Sequence, residues 1–486
     1  MLNRFFGAKF HSNFHVFVLL LLLVGVCCST FLMSMGLFLG GLNFFLEGNF
    51  SEKFNRLKQN KFFLLIFGFY LVHVLAMLWT NNWEYGLNAL RQKSSLGIIP
   101  IIICSSPLPK KSVMNLLFAG FVTTLVITSL TNFLTYAFFA DRLHLIDIRD
   151  MSLFGSHIRF GILIGFGVAC CYFLAQSFKK LNVLFLLVAS WFAFYTYYSQ
   201  VLSGIIVLMI VLFGLLFWKL YQQKKYVAIG AIAFIAGGLI IAVFIYLMQP
   251  IKQEFVFREN YITLEQAWNK RSAIAYDSLD LRKQYLAQTL ERYLISKNLP
   301  VSGDGVDNLT PIDIDFIEKG FADVRETKSG LIARLFGIRY QLHNASNPNG
   351  HSILERIEYW KNAGEIIKTN WFFGVGTGDV NDAMQQMYTK RNSSLTEDRR
   401  LRAHNSYLTF WMTFGVFGLL YFVFFQAKFF LDQWKKKQVL GVFFIVIAFV
   451  TFLFEDTLET QMGITFFTLF YALFSLNTSA HNDATI

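Results

Sequence analysis

From Phe14 to Leu46 the sequence runs for 33 residues without an acidic residue, lysine or arginine. As helix this stretch would measure about 50 Å at 1.5 Å per residue, too long for one crossing of a hydrocarbon core roughly 30 Å thick. It therefore has to break, and the small polar residues near Cys28–Phe31 mark the place, giving two short helices. No small-residue cleavage site interrupts the first run, so it reads as a signal anchor retained in the mature protein.

The same apolar theme recurs along the chain. Further spans are expected at roughly Phe62–Leu78, Leu87–Cys104, Val113–Phe139, Ile158–Phe178, Leu181–Tyr198, Val201–Trp218, Val227–Met248, Ser406–Gln426, Val439–Phe454 and Met462–Leu476. The expected fold is thus an all-α polytopic membrane protein of about twelve transmembrane helices. It divides into an N-terminal membrane bundle (1–248, about nine helices), a large, mainly helical loop (249–405) and a C-terminal bundle of three helices (406–486). Composition agrees: of 486 residues 55% are hydrophobic, 17% aromatic and only 15% charged, outside the soluble globular range. The 56 phenylalanines suit a surface that faces lipid.

The formal net charge of +12 does not indicate nucleic acid, because the basic residues sit in short clusters between apolar runs. One alternate set of loops holds Lys53, Arg56, Lys58 and Lys61, then Lys110 and Lys111, Lys179 and Lys180, Lys219, Lys224 and Lys225, and Lys428 to Lys437. The other short loops hold little beyond Arg142 and Arg149, with Arg91 and Lys93 at a span's rim. By the positive-inside rule both termini are cytoplasmic and the 249–405 loop is on the outer side. All five cysteines lie in apolar runs, which excludes a disulfide framework or a thiol metal site.

Chemistry concentrates in the second half of the loop and just after it. Ser352 and Glu355 read as a capping box opening a helix with apolar residues at Ile353, Ile357, Trp360, Ala363 and Ile367. Arg356, in its first turn, opposes the helix macrodipole, a conflict that an anionic ligand or a neighbouring Glu355 or Glu358 relieves. A glycine-rich turn, WFFGVGTGD, follows, with a second helix at Asp379–Tyr388; no strand precedes the turn, so it is not a dinucleotide fingerprint. His404 and Asn405 end the polar loop at the mouth of an apolar span, where they either cap the helix or form part of a site. Arg159 enters the sixth span from the same side, as a snorkelling residue or a ligand group. Glu455, Asp456, Glu459 and Gln461 form the turn between the last two spans. Asp313 and Asp315 make a DxD pair without further groups at metal-site spacing, so no metal is expected.

The blocks ERIEYWKNAGEIIKTNWFFGVGTGD, AHNSYLTFWMTFGVFGLLYF and EDTLETQMGITFFTLFYALF, in that order, resemble the O-antigen ligase and O-antigen polymerase superfamily of bacterial membrane glycosyltransferases. The resemblance rests on Arg356 and Trp360 on a loop helix, Gly374 to Gly378, and His404–Asn405 followed by Gly415 and Gly418. It implies a multi-pass protein of the bacterial inner membrane with its active site on the periplasmic face, moving a glycan from a polyprenyl (undecaprenyl) diphosphate carrier to a sugar hydroxyl. O-antigen ligation to lipid A core in lipopolysaccharide synthesis is the first reading and repeat-unit polymerisation the alternative. It further implies His404 and Arg356 in catalysis and Arg159, Arg91, Asn405, Trp360 and Glu455 around the substrates. One departure stands out: relatives often have Ser-Arg where this chain has Ser203-Gly204, so a second diphosphate cation has to come from elsewhere, Arg159 or Arg91. No metal or cofactor is needed if arginines neutralise the leaving diphosphate and His404 takes the acceptor proton; in-line displacement then inverts the anomeric carbon. A lipid-linked glycan transporter calls instead for broken helices and ionisable groups near mid-membrane. An envelope scaffold would need no chemistry at His404.

Overall fold

Ser29 breaks the long N-terminal run inside the window set by its sequence. In the computed structural model, which describes residues 7–140, 142–145, 147–250, 260–282, 284–327, 330–343 and 347–476, helices α1 (Ala8–Cys28) and α2 (Thr30–Glu47) meet there. The Ser29 N–H donates to the Gly25 carbonyl and its Oγ accepts from the Leu32 N–H, so one residue closes one helix and opens the next. Both chain ends, 1–6 and 477–486, and residues 251–259 of the expected loop lie outside the described residues.

Helices α3 (Phe50–Gln59) and α4 (Phe63–Leu75) follow, then α5 (Trp83–Gln92), α6 (Ser95–Cys104), α7 (Lys111–Phe139), α8 (His157–Ser177), α9 (Asn182–Tyr198), α10 (Leu202–Gln222) and α11 (Tyr226–Met248). Short helices α12 (Tyr261–Arg271), α13 (Leu286–Ser296), α14 (Gly303–Asp307), α15 (Pro311–Glu318), α16 (Gly330–His343), α17 (Ser352–Thr369) and α18 (Val380–Lys390) make up the long segment. The chain ends in α19 (Ser406–Lys435), α20 (Val439–Thr451) and α21 (Gln461–Ser475). No strand occurs among the described residues.

Among the described residues eight helices are long and apolar enough to cross a membrane, or nine if α3 and the apolar helix after it, bent by 96°, count as one span; α20 and α21 are shorter apolar helices. The protein is therefore a multi-pass membrane protein, with fewer full-length crossings than the twelve expected. The Leu87–Cys104 span is where the difference is clearest: it is two helices, broken at Lys93 and Ser94. Lys93 turns inward to an acidic partner described below, and a buried ion pair takes precedence there over an unbroken apolar helix.

The phenylalanines are as much core as lipid surface. Phe121, Phe160, Phe166, Phe192, Phe410 and Phe422 are almost wholly buried, and Phe69, Phe410, Phe422 and Phe425 pack edge-on or stacked between α4 and α19. Others, such as Phe38, Phe138 and Phe234, are exposed. Small residues set a close crossing: a methyl group on Gly161 of α8 would stand 3.1 Å from the Cα of Gly204 on α10, the close approach that glycine permits between membrane helices.

The long segment forms two cores. Leu264, Trp268, Leu290, Tyr293, Ile317 and Tyr340 build one. Tyr359, Ala363, Ile366, Met384 and Tyr388 build the other, and this second core takes in Met412 of α19. The second is locked to the bundle by a break in α19. At Gly415 the backbone leaves the helix (φ 68, ψ −166), and the glycine-rich turn after α17 enters the gap. Val375 N–H donates to Met412 O at 2.9 Å, Gly376 N–H to Thr413 O at 3.0 Å, and Val416 N–H to Trp371 O at 2.8 Å. The groups freed by the break are thereby satisfied, as buried backbone requires.

Gly415→Ala is expected to lower stability by about 1–3 kcal/mol, because this backbone region is essentially glycine-only and the new Cβ would lie 1.9 Å from Phe372 O. Gly364→Ala, in α17 with no atom within 4 Å of the added Cβ, should stabilise slightly, by about 0.4–1 kcal/mol. Thermal unfolding of the detergent-solubilised pair checks the contrast; equal melting temperatures would refute it.

Candidate active site

His404 occupies the left-handed region (φ 47), two residues before the start of α19. Asp456 holds the backbone there: the His404 N–H donates to Oδ2 at 2.7 Å, and Thr409 Oγ1 donates to Oδ1 at 2.8 Å. Asn405, not His404, caps the helix, accepting from the Leu408 N–H at 3.1 Å while its Nδ2 donates to Leu453 O. The imidazole is left free of any capping duty. It lies beside the Tyr359 ring (centroids 5.7 Å apart, 33° between planes).

Two arginines converge with it on one carboxylate. Glu455, 4% exposed, has its Oε1 3.7 Å from an Arg159 Nη2, and its Oε2 3.9 Å from Arg356 Nη2 and 3.8 Å from His404 Nδ1. These are ion-pair distances, longer than hydrogen bonds. Glu455 Oε2, His404 Nδ1, Arg159 Nε and Arg356 Nε are all buried with no hydrogen-bond partner among the described residues. Burial pushes the Glu455 carboxyl up, but the His404 imidazole and the two guanidiniums outweigh this and hold it below its ordinary value. Asp456, three bonds of chain away, goes the other way: burial dominates and raises it.

A second tier supports the first. Glu459 receives Lys93 Nζ at 2.6 Å and the Arg402 guanidinium, which also donates to the Tyr85 hydroxyl. Burial would raise the Glu459 carboxyl, yet these cations lower it. The chain leading into His404 is pinned from α17 and α18: Tyr359 OH donates to Arg399 O, Gln385 Nε2 to Arg400 O, Tyr388 OH to Leu401 O, and Trp360 Nε1 to Ala403 O.

The expected site residues thus divide. His404, Arg356, Arg159 and Glu455 come together. Asn405 is adjacent as a helix cap, and Trp360 holds the backbone before His404 while its ring stays 38% exposed. Arg91 is exposed and makes no ion pair among the described residues; Lys93, two positions on, is the residue of that rim which enters the cluster. Lys93 and Arg402 were not singled out from sequence. Ser203 and Gly204 meet α8, with Ser203 Oγ donating to Ile158 O, and the next residue on α8 is Arg159. The capping box is corrected: α17 is preceded by His351 without a side-chain cap, and Glu355 accepts from Gly350 N–H and Arg399 instead. Arg356 therefore lies one turn inside the helix, with Nη1 on Ser352 O. The DxD pair splits: Asp313 completes the capping box that Thr310 opens at α15 and binds Tyr293 and Lys297, whereas Asp315 pairs with exposed Lys319.

Residues 185–423 match the family model described as O-antigen ligase. That range takes in Arg356, Trp360, His404, Asn405 and Gly415, and leaves Arg159, Lys93 and the 455–459 turn outside. No curated protein matches the chain.

Glu455→Gln is expected to destabilise the protein at pH 7 by about 1–3 kcal/mol, because it leaves two half-buried guanidiniums, those of Arg159 and Arg356, short of their counter-charge. The folded carboxyl is lowered, so its contribution is fully present above the ordinary glutamate value of 4.5 and is lost as pH falls through the lowered one. The gap between wild type and variant should accordingly close in acid. Melting temperatures across pH 3–7 test this; a gap that widens in acid would contradict it.

Proposed function

We propose that this chain, which carries the O-antigen ligase family domain over residues 185–423, transfers a glycan from a polyprenyl diphosphate carrier to a sugar hydroxyl, O-antigen joined to lipid A core being the reaction assigned. The observation that carries the reading is the convergence of Arg159, Arg356 and His404 on Glu455 at distances of 3.7–3.9 Å, with unpartnered polar atoms on all four side chains. Such an arrangement has hydrogen-bonding capacity left for a ligand.

In this reading the two guanidiniums take the diphosphate, replacing Glu455 as their partner through charge-assisted, fork-like bonds. His404 accepts the proton of the acceptor hydroxyl, being the side chain whose ordinary pKa lies nearest neutrality. Glu455, beside Nδ1, holds the imidazole and stabilises its protonated form, the part that a buried carboxylate plays for a catalytic histidine elsewhere. The acceptor oxygen forms its bond to the anomeric carbon as the bond to the diphosphate oxygen breaks, and the electron pair leaves with the diphosphate. Configuration inverts, and the charge of the leaving group is met by arginine instead of a metal ion. A repeat-unit polymerase would use the same step with another glycan as acceptor. The reading places the site on the periplasmic face: cysteine substituted at Asn308 should react with an impermeant reagent in spheroplasts and cysteine at Lys436 should not, and the reverse pattern would refute it.

His404→Ala should lose roughly 10²- to 10⁴-fold in turnover with donor binding retained. Arg356→Ala should lose donor binding as well, and Arg356→Lys should not restore it, since a point charge does not reproduce the fork. Turnover should persist in EDTA. Assays on folded, purified variants with lipid-linked donor decide; near-normal turnover of His404→Ala would remove the base assignment, and dependence on added magnesium would remove the arginine one.

A further inference from the structure

Above the outer ends of α7 and α10, the long segment encloses a cavity of about 340 Å³ separate from the His404 cluster. Four arginines line it, Arg149 from the loop before α8 and Arg282, Arg292 and Arg334 from the long segment, together with Asp147, Asp323 and Glu326. Asp323 is taken by Arg325, which donates to both its oxygens at 2.8 and 2.6 Å. Four guanidiniums then share the two remaining carboxylates. Asp147 is held at both oxygens by Arg149, so that Arg282 and Arg334 reach it only at 3.9 and 3.8 Å.

The four are not equally satisfied. Arg282 stacks on Phe321 and donates to Gly320 O and Glu326, and Arg149 has Asp147; both hold the fold together. Arg292 donates to the neutral oxygens of Gln288 and Gln284 and forms no ion pair among the described residues, although Glu326, Asp280 and Glu291 lie close enough to attract it. Arg334 makes no hydrogen bond among the described residues, and its Nε, like that of Arg282, is buried without a partner. Burial and then the charge of Arg149 push Arg334 down to about 10, and burial lowers Arg292 as well. A fold needing only cohesion would not gather uncompensated guanidiniums in one enclosed space, because each pays desolvation without return. An anion of fork geometry supplies the return.

The cavity also adjoins the chemistry. Gly350 and Ser352, at the start of α17, line it, and Arg356, four residues on, faces Glu455; one helical turn, about 5.4 Å of rise, separates the two. The start of an 18-residue helix favours negative charge in its own right. A volume of this size falls within the range of small-molecule sites and accommodates a sugar ring bearing one acidic group.

We propose that this cavity is a second oxyanion site, binding a phosphate or carboxylate carried on the glycan of one substrate while its reacting end lies at His404. The ligand's source rests on the glycan-transfer reading; the anion site itself does not. Calorimetric titration of the full-length protein in detergent with inorganic phosphate separates the two. In an Arg356→Gln background, which removes the diphosphate arginine, phosphate binding should persist, and adding Arg334→Gln should weaken it at least tenfold; unchanged affinity would overturn the site. Glu326→Gln, which deletes an acid and keeps all four arginines, should tighten binding severalfold, and serves if Arg334→Gln fails to fold; no change there would likewise overturn it. In transfer assays with the Arg334→Gln single variant, the KM of whichever substrate carries the acidic group should rise, for acceptor or for donor, with kcat little changed. The rise should vanish when that glycan is dephosphorylated or neutral. Phosphate binding without any change in either KM would mean an adventitious ion only. Absence of transfer by the wild type, with phosphate binding intact, would defeat the transfer reading and leave the site standing.

Discussion

Backbone groups cannot be left unpaired in an apolar surrounding, and the break in α19 at Gly415 turns that constraint into the device that docks the long segment. Once Gly415 takes a positive φ, the carbonyls of Met412 and Thr413 and the N–H of Val416 lose helical partners. The turn 371–376 provides all three replacements. Its continuation is tied to the N-terminal half of the bundle: Thr377 Oγ1 donates to His73 O, Gly378 N–H donates to Thr80 Oγ1, and the Asp379 carboxylate accepts from the N–H groups of Asn81 and Asn82. One nine-residue turn therefore connects α4, α5, α17, α18 and α19. Since the first part of α19 is a short helix between this break and Asn405, the same bonds set the position of His404.

The acidic turn between α20 and α21 does for electrostatics what the glycine turn does for the backbone. Asp456 shapes the chain at His404, Glu455 gathers Arg159, Arg356 and the imidazole, and Glu459 fixes Lys93 and Arg402. Three carboxyls this close cannot share one environment, and they separate: Asp456, buried and bonded to an N–H and a hydroxyl, is raised, while its neighbours, each facing two or more basic side chains, are lowered. Splitting of this kind between adjacent titratable groups is a mark of functional sites.

Much of this was legible from residue order. Apolar run length located the helices, the small residues after Cys27 located the first break, and the polar groups clustered at one face identified His404, Arg356, Arg159 and Glu455. What escaped depended on pairing between distant positions. Arg91 and Lys93 are equivalent by composition, and only where α5 ends decides that Lys93 turns to Glu459, 366 residues on. Arg402 sat unremarked among neighbouring basic residues for the same reason. Ser352 and Glu355 have the spacing of a capping box, but Arg399 offers Glu355 a stronger, charged partner. Phenylalanine counts cannot tell lipid from core, because both are apolar; the ring contacts between α4 and α19 can.

The Ser203-Gly204 pair ties the packing of α8 against α10 to the position of a charged group. A side chain at position 204 would project from α10 toward α8, where even its Cβ would stand 3.2 Å from the Gly161 Cα. With glycine there, α8 comes close, Ser203 bonds its first turn at Ile158 O, and the residue after Ile158 is Arg159, whose guanidinium reaches Glu455. The close helix crossing and the cation at the site are thus two consequences of the same small residue. A side chain at 204 would press α10 away from α8, so the small residue there and the position of Arg159 are linked through one helix contact.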